Sequence, residues 1–372
     1  MNTKKKRKMF RLNSSLLSSL IAILIGLIFG IVVLAISNPQ QALNGIRTLL
    51  LGGFTAGGIK GLGNVLYYAM PIIMTGLGVG FAFQTSLFNI GGSGQFIVGA
   101  YCALLVAIRC DFPGPLGWIA PLIAGMIGGA LWALLPGLLR AYLDVNIVIA
   151  TIMMNYIGMY LVNFLVKNTI YDSLKNQSLP VPKGNTLPSA GLDKLFSSSM
   201  ANIGIFIAII MAVVIYILLN KTTFGYEIKA CGRNRDASRY AGINEKRNII
   251  LSMMISGALV GLGGALMYLS DAGKHIKVVD VIASEGFDGI AVALLAMNNP
   301  LGIIFSAIFI AYLQVSGFYM QTYRFTYEIV DVIISVIIYF SAFSLIIKQM
   351  IDKYRLRIDK KKSGSQIPEK EV

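Results

Sequence analysis

Two carboxylates stand close together in an apolar part of the chain and could contribute binding or proton chemistry. Glu285 and Asp288 are three residues apart in the segment EGFDGIAVALLAMNNPLG, and a helix places such a pair on one face. Acidic side chains within a membrane bind the hydroxyls of a polar solute or couple transport to protons. The alternative is a helix amino end, where the macrodipole favours acidic residues and the membrane interface keeps them hydrated. The residue types leave both interpretations open.

A second polar segment combines neutral side chains with glycines. In TSLFNIGGSGQFIVGA, residues 85–100, hydrogen-bond donors and acceptors come from Asn89, Ser93 and Gln95. Gly91, Gly92 and Gly94 in the same segment permit backbone conformations that are closed to other residues. Uncharged polar groups of this kind suit the lining of a solute path, and they equally suit an ordinary turn between two helices.

The most highly charged internal segment is 220–249, with seven basic and three acidic residues. RNRDASRYAGI predicts a short helix that begins near Asp236, and CGRN predicts a break before it. A compact helix pair lying parallel to the membrane would present a shaped surface to a cytoplasmic partner. The alternative is an ordinary basic loop that contacts lipid headgroups.

Two common kinds of catalytic site are excluded. A phosphate-binding P-loop needs a lysine directly after its second glycine, but Ile59 follows Gly58 in the nearest match. His275 is the only histidine, which excludes HExxH zinc chemistry and paired histidine ligands. We therefore expect no bound metal, no cofactor and no ATP hydrolysis by this chain itself.

The elements around these segments are predicted to cross a membrane. Hydrophobic residues make up 56% of the chain, charged residues 13%, and the mean hydropathy is +0.71. We predict an all-α, polytopic bundle of about ten transmembrane helices, of which 95–108 and 285–297 are too short for a straight crossing. The ten predicted spans are 15–36, 64–83, 95–108, 116–138, 146–166, 201–219, 250–270, 285–297, 301–320 and 327–347. Glycine spacings such as Gly125 with Gly129 and Gly257 with Gly261 indicate close helix packing.

The basic residues predict the orientation. Of 32 Lys and Arg residues, 22 fall in segments that lie inside if both termini are cytoplasmic. This gives a basic cytoplasmic N-terminus at 1–14, a membrane domain at 15–347 and a basic cytoplasmic tail at 348–372. The net charge is +15, and the basic residues that produce it flank the spans and do not form a soluble module. This indicates membrane lipid rather than nucleic acid as their partner. The connection 167–200 is predicted to be an irregular outside loop.

Three segments taken together resemble the signatures of bacterial ABC-importer permeases. They are FNIGGSGQFIVGAY at 88–101, TTFGYEIKACGRNRDASRYAGI at 222–243 and GFDGIAVALLAMNNPLG at 286–302. The chain is most similar, over roughly 60–345, to the simple-sugar and nucleoside group, which is related to the ribose and branched-chain amino-acid permeases. The resemblance implies a permease in a bacterial cell membrane that imports nucleosides or related simple sugars by alternating access.

The same resemblance implies partners and residue roles. The partners would be separate ATP-binding cassette subunits, a second permease chain (by family habit a paralogue) and an extracytoplasmic substrate-binding lipoprotein. ATPase coupling would fall on Gly232, Arg233, Asn234, Arg235, Ala237, Arg239, Ala241 and Gly242 within 220–249. The solute path would lie near Asn89, Ser93, Gln95, Glu285 and Asp288.

Two positions depart from the family pattern, and one rival function stays open. Cys231 stands where an aliphatic or small residue is usual, and Ala296 with Met297 stands where glycine with a basic or polar residue is common. The second departure weakens the assignment of the path residues. The rival is an ion-coupled secondary transporter of a small polar solute, which would require Glu285 or Asp288 for coupling.

Overall fold

The computed structural model describes residues 14–55, 57–271, 273–343 and 346–353. Fourteen helices are named among them: α1 (Ser14–Ser37), α2 (Ala42–Thr55), α3 (Gly58–Gln84), α4 (Gly92–Arg109), α5 (Leu116–Leu143), α6 (Ile147–Thr169), α7 (Leu192–Leu195), α8 (Gly204–Lys221), α9 (Thr223–Arg233), α10 (Arg235–Tyr240), α11 (Glu245–Tyr268), α12 (Glu285–Leu295), α13 (Pro300–Met320) and α14 (Glu328–Ala342). A further helical stretch covers 346–353. Of the predicted basic ends at 1–14 and 348–372, residues 1–13 and 354–372 lie outside the described residues.

Eight helices in the described part of the chain are long and apolar enough to cross a membrane: α1, α3, α4, α5, α6, α8, α11 and α13. The prediction of a polytopic helical bundle that includes short helices is therefore confirmed. Helix α12, with 11 residues, is short as predicted, and α14 has only 15. The prediction that α4 is too short was wrong, because this helix begins at Gly92 and runs for 18 residues. Its first turn uses the glycine-rich segment that the sequence analysis assigned to the break.

Helix α2 was not predicted. Its sequence, ALNGIRTLLLGGFT, contains Arg47 and two adjacent glycines, so it lacks the long apolar run that marks a span. It packs against α13 and α3.

The centre of the bundle is formed by α3 and α11. Most of their residues are buried, whereas α1 and α8 remain largely exposed on their outer faces. Glycines bring α5 and α11 into backbone contact, as the spacing predicted. A Cβ atom on Gly129 would run into the carbonyl oxygen of Gly257 and into the backbone of Gly261. The crossing of α5 and α11 therefore depends on residues without side chains.

The connection between α6 and α8 is more regular than predicted. Strand β1 (Tyr171–Asp172) pairs antiparallel with β2 (Gln177–Ser178), with Tyr171 opposite Ser178. The hairpin is tied to the segment after α11, since the Ser178 amide donates to the Ile276 carbonyl at 2.9 Å. Leu187 N similarly donates to Leu269 O at 3.0 Å. These two connections thus form one structured layer at the same end of the bundle.

Candidate functional site

The charged segment folds as a pair of capped helices, α9 and α10. The Thr222 hydroxyl caps α9 by accepting from Gly225 N at 3.1 Å, and Asn234 caps α10 by accepting from Ala237 N at 3.0 Å. The backbone of Asn234 is extended, with φ −157° and ψ 110°, so the chain breaks there and restarts. The predicted break and following helix are confirmed, with the helix starting at Arg235, one residue earlier than expected.

A groove of about 670 Å³ lies along this helix pair. Four of the eight predicted coupling residues line it: Arg233, Asn234, Ala237 and Ala241. The other four, Gly232, Arg235, Arg239 and Gly242, lie in the same two helices and the turn after them without lining the groove. The exposed aromatic ring of Tyr226 adds apolar surface to the groove. We call this surface the coupling groove.

Gly232 joins α9 to the end of α3. A Cβ atom at this position would collide with the carbonyl oxygen of Gln84, so the close approach requires glycine. Ser86, in the turn after α3, donates its hydroxyl to the Gly232 carbonyl at 2.6 Å. Helix α9 is therefore held directly against the turn that leads into α4.

A row of buried polar side chains on α11 makes a second connection. Asn248, Ser252 and Ser256 are spaced by four residues and so share one face of the helix. Asn248 Nδ2 donates to Glu227 Oε2 of α9 at 3.2 Å. The Ser252 hydroxyl lies 2.7 Å from that of Thr85. We call these three residues the α11 polar row.

The third member of the row reaches the polar break itself. Asn89 Nδ2 donates to Ser256 Oγ at 2.9 Å and to Gln95 Oε1 at 3.0 Å, and Gln95 Nε2 donates back to Asn89 Oδ1 at 3.2 Å. Asn89 and Gln95 are both buried, and each satisfies the other. In this conformation they fix the turn between α3 and α4 and line neither of the two cavities described below.

Ser93 differs from its two neighbours. It is buried in the first turn of α4, lines a cavity of about 510 Å³, and its hydroxyl has no hydrogen-bond partner among the described residues. Asn155 of α6 lines the same cavity and accepts from Gly94 N at 2.8 Å, which positions the amino end of α4. The cavity therefore offers an unused donor and acceptor beside a fixed amide.

Glu285 also lines this cavity, together with Lys274 and His275. Lys274, Glu285 and Ser284 also line a smaller adjoining cavity of about 160 Å³, which contains Asp288. Asp288 Oδ2 there accepts from Gln314 Nε2 at 3.1 Å. The structure thus brings Ser93 and Glu285 together on one cavity and Glu285 and Asp288 together on the next. We call the larger one the polar cavity.

Sequence reasoning missed Lys274, which lies between α11 and α12. Its ammonium group is 5.9 Å from the centre of the Tyr68 ring, a distance typical of a cation–π contact. The signal was present in the sequence as DAGKHIKVVD, a charged stretch with two lysines and two aspartates directly after an apolar span. Only the fold shows that this stretch returns to cover α4 and α12.

The two candidate surfaces lie at opposite ends of α11. Asn248, in the first turn, contacts α9, whereas Tyr268, the last residue, lines the polar cavity. A 24-residue helix spans roughly 36 Å, about the thickness of a membrane. The described residues contain no group of three His, Cys, Asp or Glu side chains that could hold a metal ion.

Comparison with known proteins supplies the family. The model of the branched-chain amino acid transport system permease component matches residues 61–342. The chain is 36% identical to the guanosine ABC transporter permease protein NupP of Bacillus subtilis, over 80% of this chain and 86% of that protein. It is 38% identical to the nucleoside ABC transporter permease protein NupB of Lactococcus lactis, over 80% and 83% of the two chains.

A second guanosine ABC transporter permease of Bacillus subtilis, NupQ, is also similar, at 30% identity over 67% of this chain and 79% of that protein. No solved structure matches the chain. The family match extends from α3 to α14 and includes the polar break, the coupling groove and both cavities. The chain therefore belongs to the family of permease components of the branched-chain amino acid transport system, and it is a membrane transport subunit of an ABC transporter rather than an enzyme.

Proposed function

We propose that this chain forms half of the translocation path of an importer for nucleosides. The relatives NupP, NupQ and NupB are named for guanosine or nucleosides, and all three align with most of this chain. The polar cavity supports a neutral, hydroxyl-rich solute, because it combines the hydroxyl of Ser93, the amide of Asn155 and the carboxylate of Glu285. Family membership argues against the ion-coupled alternative. Both carboxylates lie in the first turn of α12, as the helix amino-end interpretation requires, and Glu285 is assigned to solute contact as well because it lines the polar cavity.

ATP hydrolysis is assigned to separate subunits that dock on the coupling groove. Arg233 is exposed at the edge of this groove, and Tyr226 and Ile243 give it apolar walls. Such a mixture of an exposed arginine and aromatic surface is typical of protein interfaces. The groove and the end of α3 are held together through Gly232, so a movement of α9 has to move the turn that carries Asn89.

The single observation that carries this proposal is the α11 polar row. It connects the coupling groove at Glu227 with the break at Asn89, and Asn89 is four residues before Ser93 on the wall of the polar cavity. Alternating access requires such a rigid link between the energised surface and the solute path. In this proposal, the turn between α3 and α4 is the element that opens and closes the solute path.

The orientation follows from the same assignment. The end of the bundle that carries α9 and α10 faces the cytoplasm, together with both termini, because most of the basic residues lie there. The hairpin of β1 and β2 and the mouth of the polar cavity then face outward, where a substrate-binding lipoprotein delivers the solute. A second permease chain completes the path, as the presence of both NupP and NupQ in one organism supports.

The test is uptake of radiolabelled guanosine by cells that express this chain with a second permease, an ATPase and the substrate-binding lipoprotein. We expect uptake only when all four are present, with competition by unlabelled nucleosides and none by glucose or ribose. Competition by ribose alone would assign the path to sugars. Uptake that persists with a catalytically inactive ATPase would refute the docking assignment as well.

A further inference from the structure

A second large groove lies on the surface of the helical bundle, separate from the polar cavity and the coupling groove. It measures about 670 Å³ and is formed by α1, the α12–α13 turn, α13 and Lys348. A volume of this size falls within the range of roughly 300–1,000 Å³ that is typical of small-molecule sites. We propose that it binds one anionic phospholipid, with an acyl chain along α13 and the phosphate at Lys348.

The groove is polar at one end and apolar along the rest of its length, as a phospholipid is. Its polar end contains Asn299, just before α13, and Lys348. Its apolar wall continues along α13 through Phe305 to Phe309, two turns or roughly 12 Å beyond Leu301. The Phe305 side chain is 75% exposed, which leaves it free to contact a chain lying in the groove.

The shape of the groove is fixed by contacts between the helices that form its two sides. Ser19 of α1 donates its hydroxyl to the Leu295 carbonyl at the end of α12, at 2.8 Å. Helix α1 also packs along α14, so the wall that it forms has support on its other side. These contacts fix the position of α1 relative to α13 at the polar end of the groove.

Charge complementarity identifies the lipid class. Arg140 and Asp144 form an ion pair in the described part of the chain, whereas no described carboxylate lies within ion-pair distance of Lys348. Six basic residues precede the start of α1, and eight occur from Lys348 to the end of the chain. In sequence, the first basic segment ends a few residues before Ser19 and the second begins at Lys348, and both of these residues line the groove. Clusters of Lys and Arg of this kind attract anionic lipid.

The position of the groove also fits a membrane leaflet. Gln84 Nε2 donates to Asn298 O at 3.2 Å, and the Gln84 carbonyl lies against Gly232. The polar end of the groove is thus at the same end of the bundle as the coupling groove. This end faces the anionic cytoplasmic leaflet in the orientation proposed above, although the lipid site itself does not depend on the identity of the solute.

The test is native mass spectrometry of the purified full-length chain with phosphatidylglycerol or phosphatidylcholine carrying the same acyl chains. We expect one phosphatidylglycerol to be retained more tightly than phosphatidylcholine. Lys348→Gln should weaken that retention about fivefold, the factor expected for one lysine near the phosphate. Lys353→Gln, which removes an equal charge from the same helical stretch outside the groove, should leave it unchanged.

A second variant tests the apolar half. Ser306→Trp fills the groove from α13 and should abolish retention of the lipid, whereas Val213→Trp on the outer face of α8 should not. Soluble glycerol phosphate should fail to displace the lipid. The proposal is overturned by equal retention of the two lipids, by equal losses in Lys348→Gln and Lys353→Gln, or by displacement with glycerol phosphate.

Discussion

The hydroxyl of Ser86 donates a hydrogen bond of 2.6 Å to the backbone carbonyl of Gly232, which joins the turn after α3 to the last turn of α9. The bond connects the charged helix pair to the segment that carries Asn89 and Ser93. Gly232 also lies against the Gln84 backbone, so α9 contacts the end of α3 directly.

Replacing Gly232 by alanine should impair transport. The added Cβ would collide with the Gln84 carbonyl, and overpacking of this kind costs about 1–3 kcal/mol. We expect lower nucleoside uptake and weaker co-purification of the ATPase, with the chain still inserted in the membrane. Gly184→Ala is the matched control, because a Cβ there meets nothing within 4 Å. Equal uptake by both variants would show that the close contact at Gly232 is not needed.

Reversing the charge of Arg233 should prevent docking of the ATPase while the chain still inserts in the membrane. The side chain is exposed on the coupling groove, so Arg233→Glu leaves the bundle intact but places a carboxylate at the interface. Like-charge or unpaired contacts at an interface cost several kcal/mol, so ATPase co-purification and uptake should both be lost. Lys221→Glu, exposed at the end of α8 and outside the groove, should retain both. Normal ATPase association with Arg233→Glu would contradict the docking assignment.

Removing the Ser252 hydroxyl should uncouple the two ends of α11. Ser252→Ala breaks the contact with Thr85 in a fully buried site, a loss of about 1 kcal/mol. We expect ATP hydrolysis by the assembled transporter to continue while guanosine uptake falls, and Ser252→Thr, which keeps a hydroxyl, to restore part of the uptake. The control is Ser316→Ala, since this buried hydroxyl has no partner among the described residues and its loss should be neutral. A parallel loss of hydrolysis and uptake would instead indicate a purely structural contact.

Changing Glu285 should alter solute handling without affecting assembly. Glu285→Gln removes the charge but keeps the shape, and hydrogen bonds to charged groups contribute about 1.5–3 kcal/mol. The apparent KM for nucleoside uptake should rise at least about tenfold, while ATPase co-purification is unchanged. Glu328→Gln, at an exposed acid outside both cavities, should behave like the unaltered chain. An unchanged KM for Glu285→Gln would remove this carboxylate from the solute path.

The sequence predicted the bundle and the helix pair because these features depend on local patterns. Long apolar runs mark spans, and the CGRN segment indicated the break that the structure places at Asn234. Helix α2 was not predicted because Arg47 interrupts its apolar pattern. Packing against α13 stabilises this helix in the folded protein. Local propensity cannot report such a tertiary contribution.

The site residues were harder to assign because a polar residue type does not reveal its partner. Asn89 and Ser93 are four residues apart in one polar segment, yet Asn89 is satisfied by Gln95 and Ser256 whereas Ser93 faces the polar cavity. Whether each side chain has a hydrogen-bond partner depends on which chain segments lie beside it in the fold, and the composition of the segment does not show this. The α11 polar row could have been found, since Asn248, Ser252 and Ser256 recur every four residues within an apolar span.

The central claim is that this chain moves nucleosides only when a separate ATPase drives it. The most direct measurement is guanosine uptake by proteoliposomes that contain the chain, a second permease and the ATPase, supplied with the substrate-binding protein. We predict uptake that requires ATP, stops when the ATPase is inactivated and persists when ion gradients are dissipated. Uptake without ATP that is abolished by collapsing an ion gradient would contradict the account.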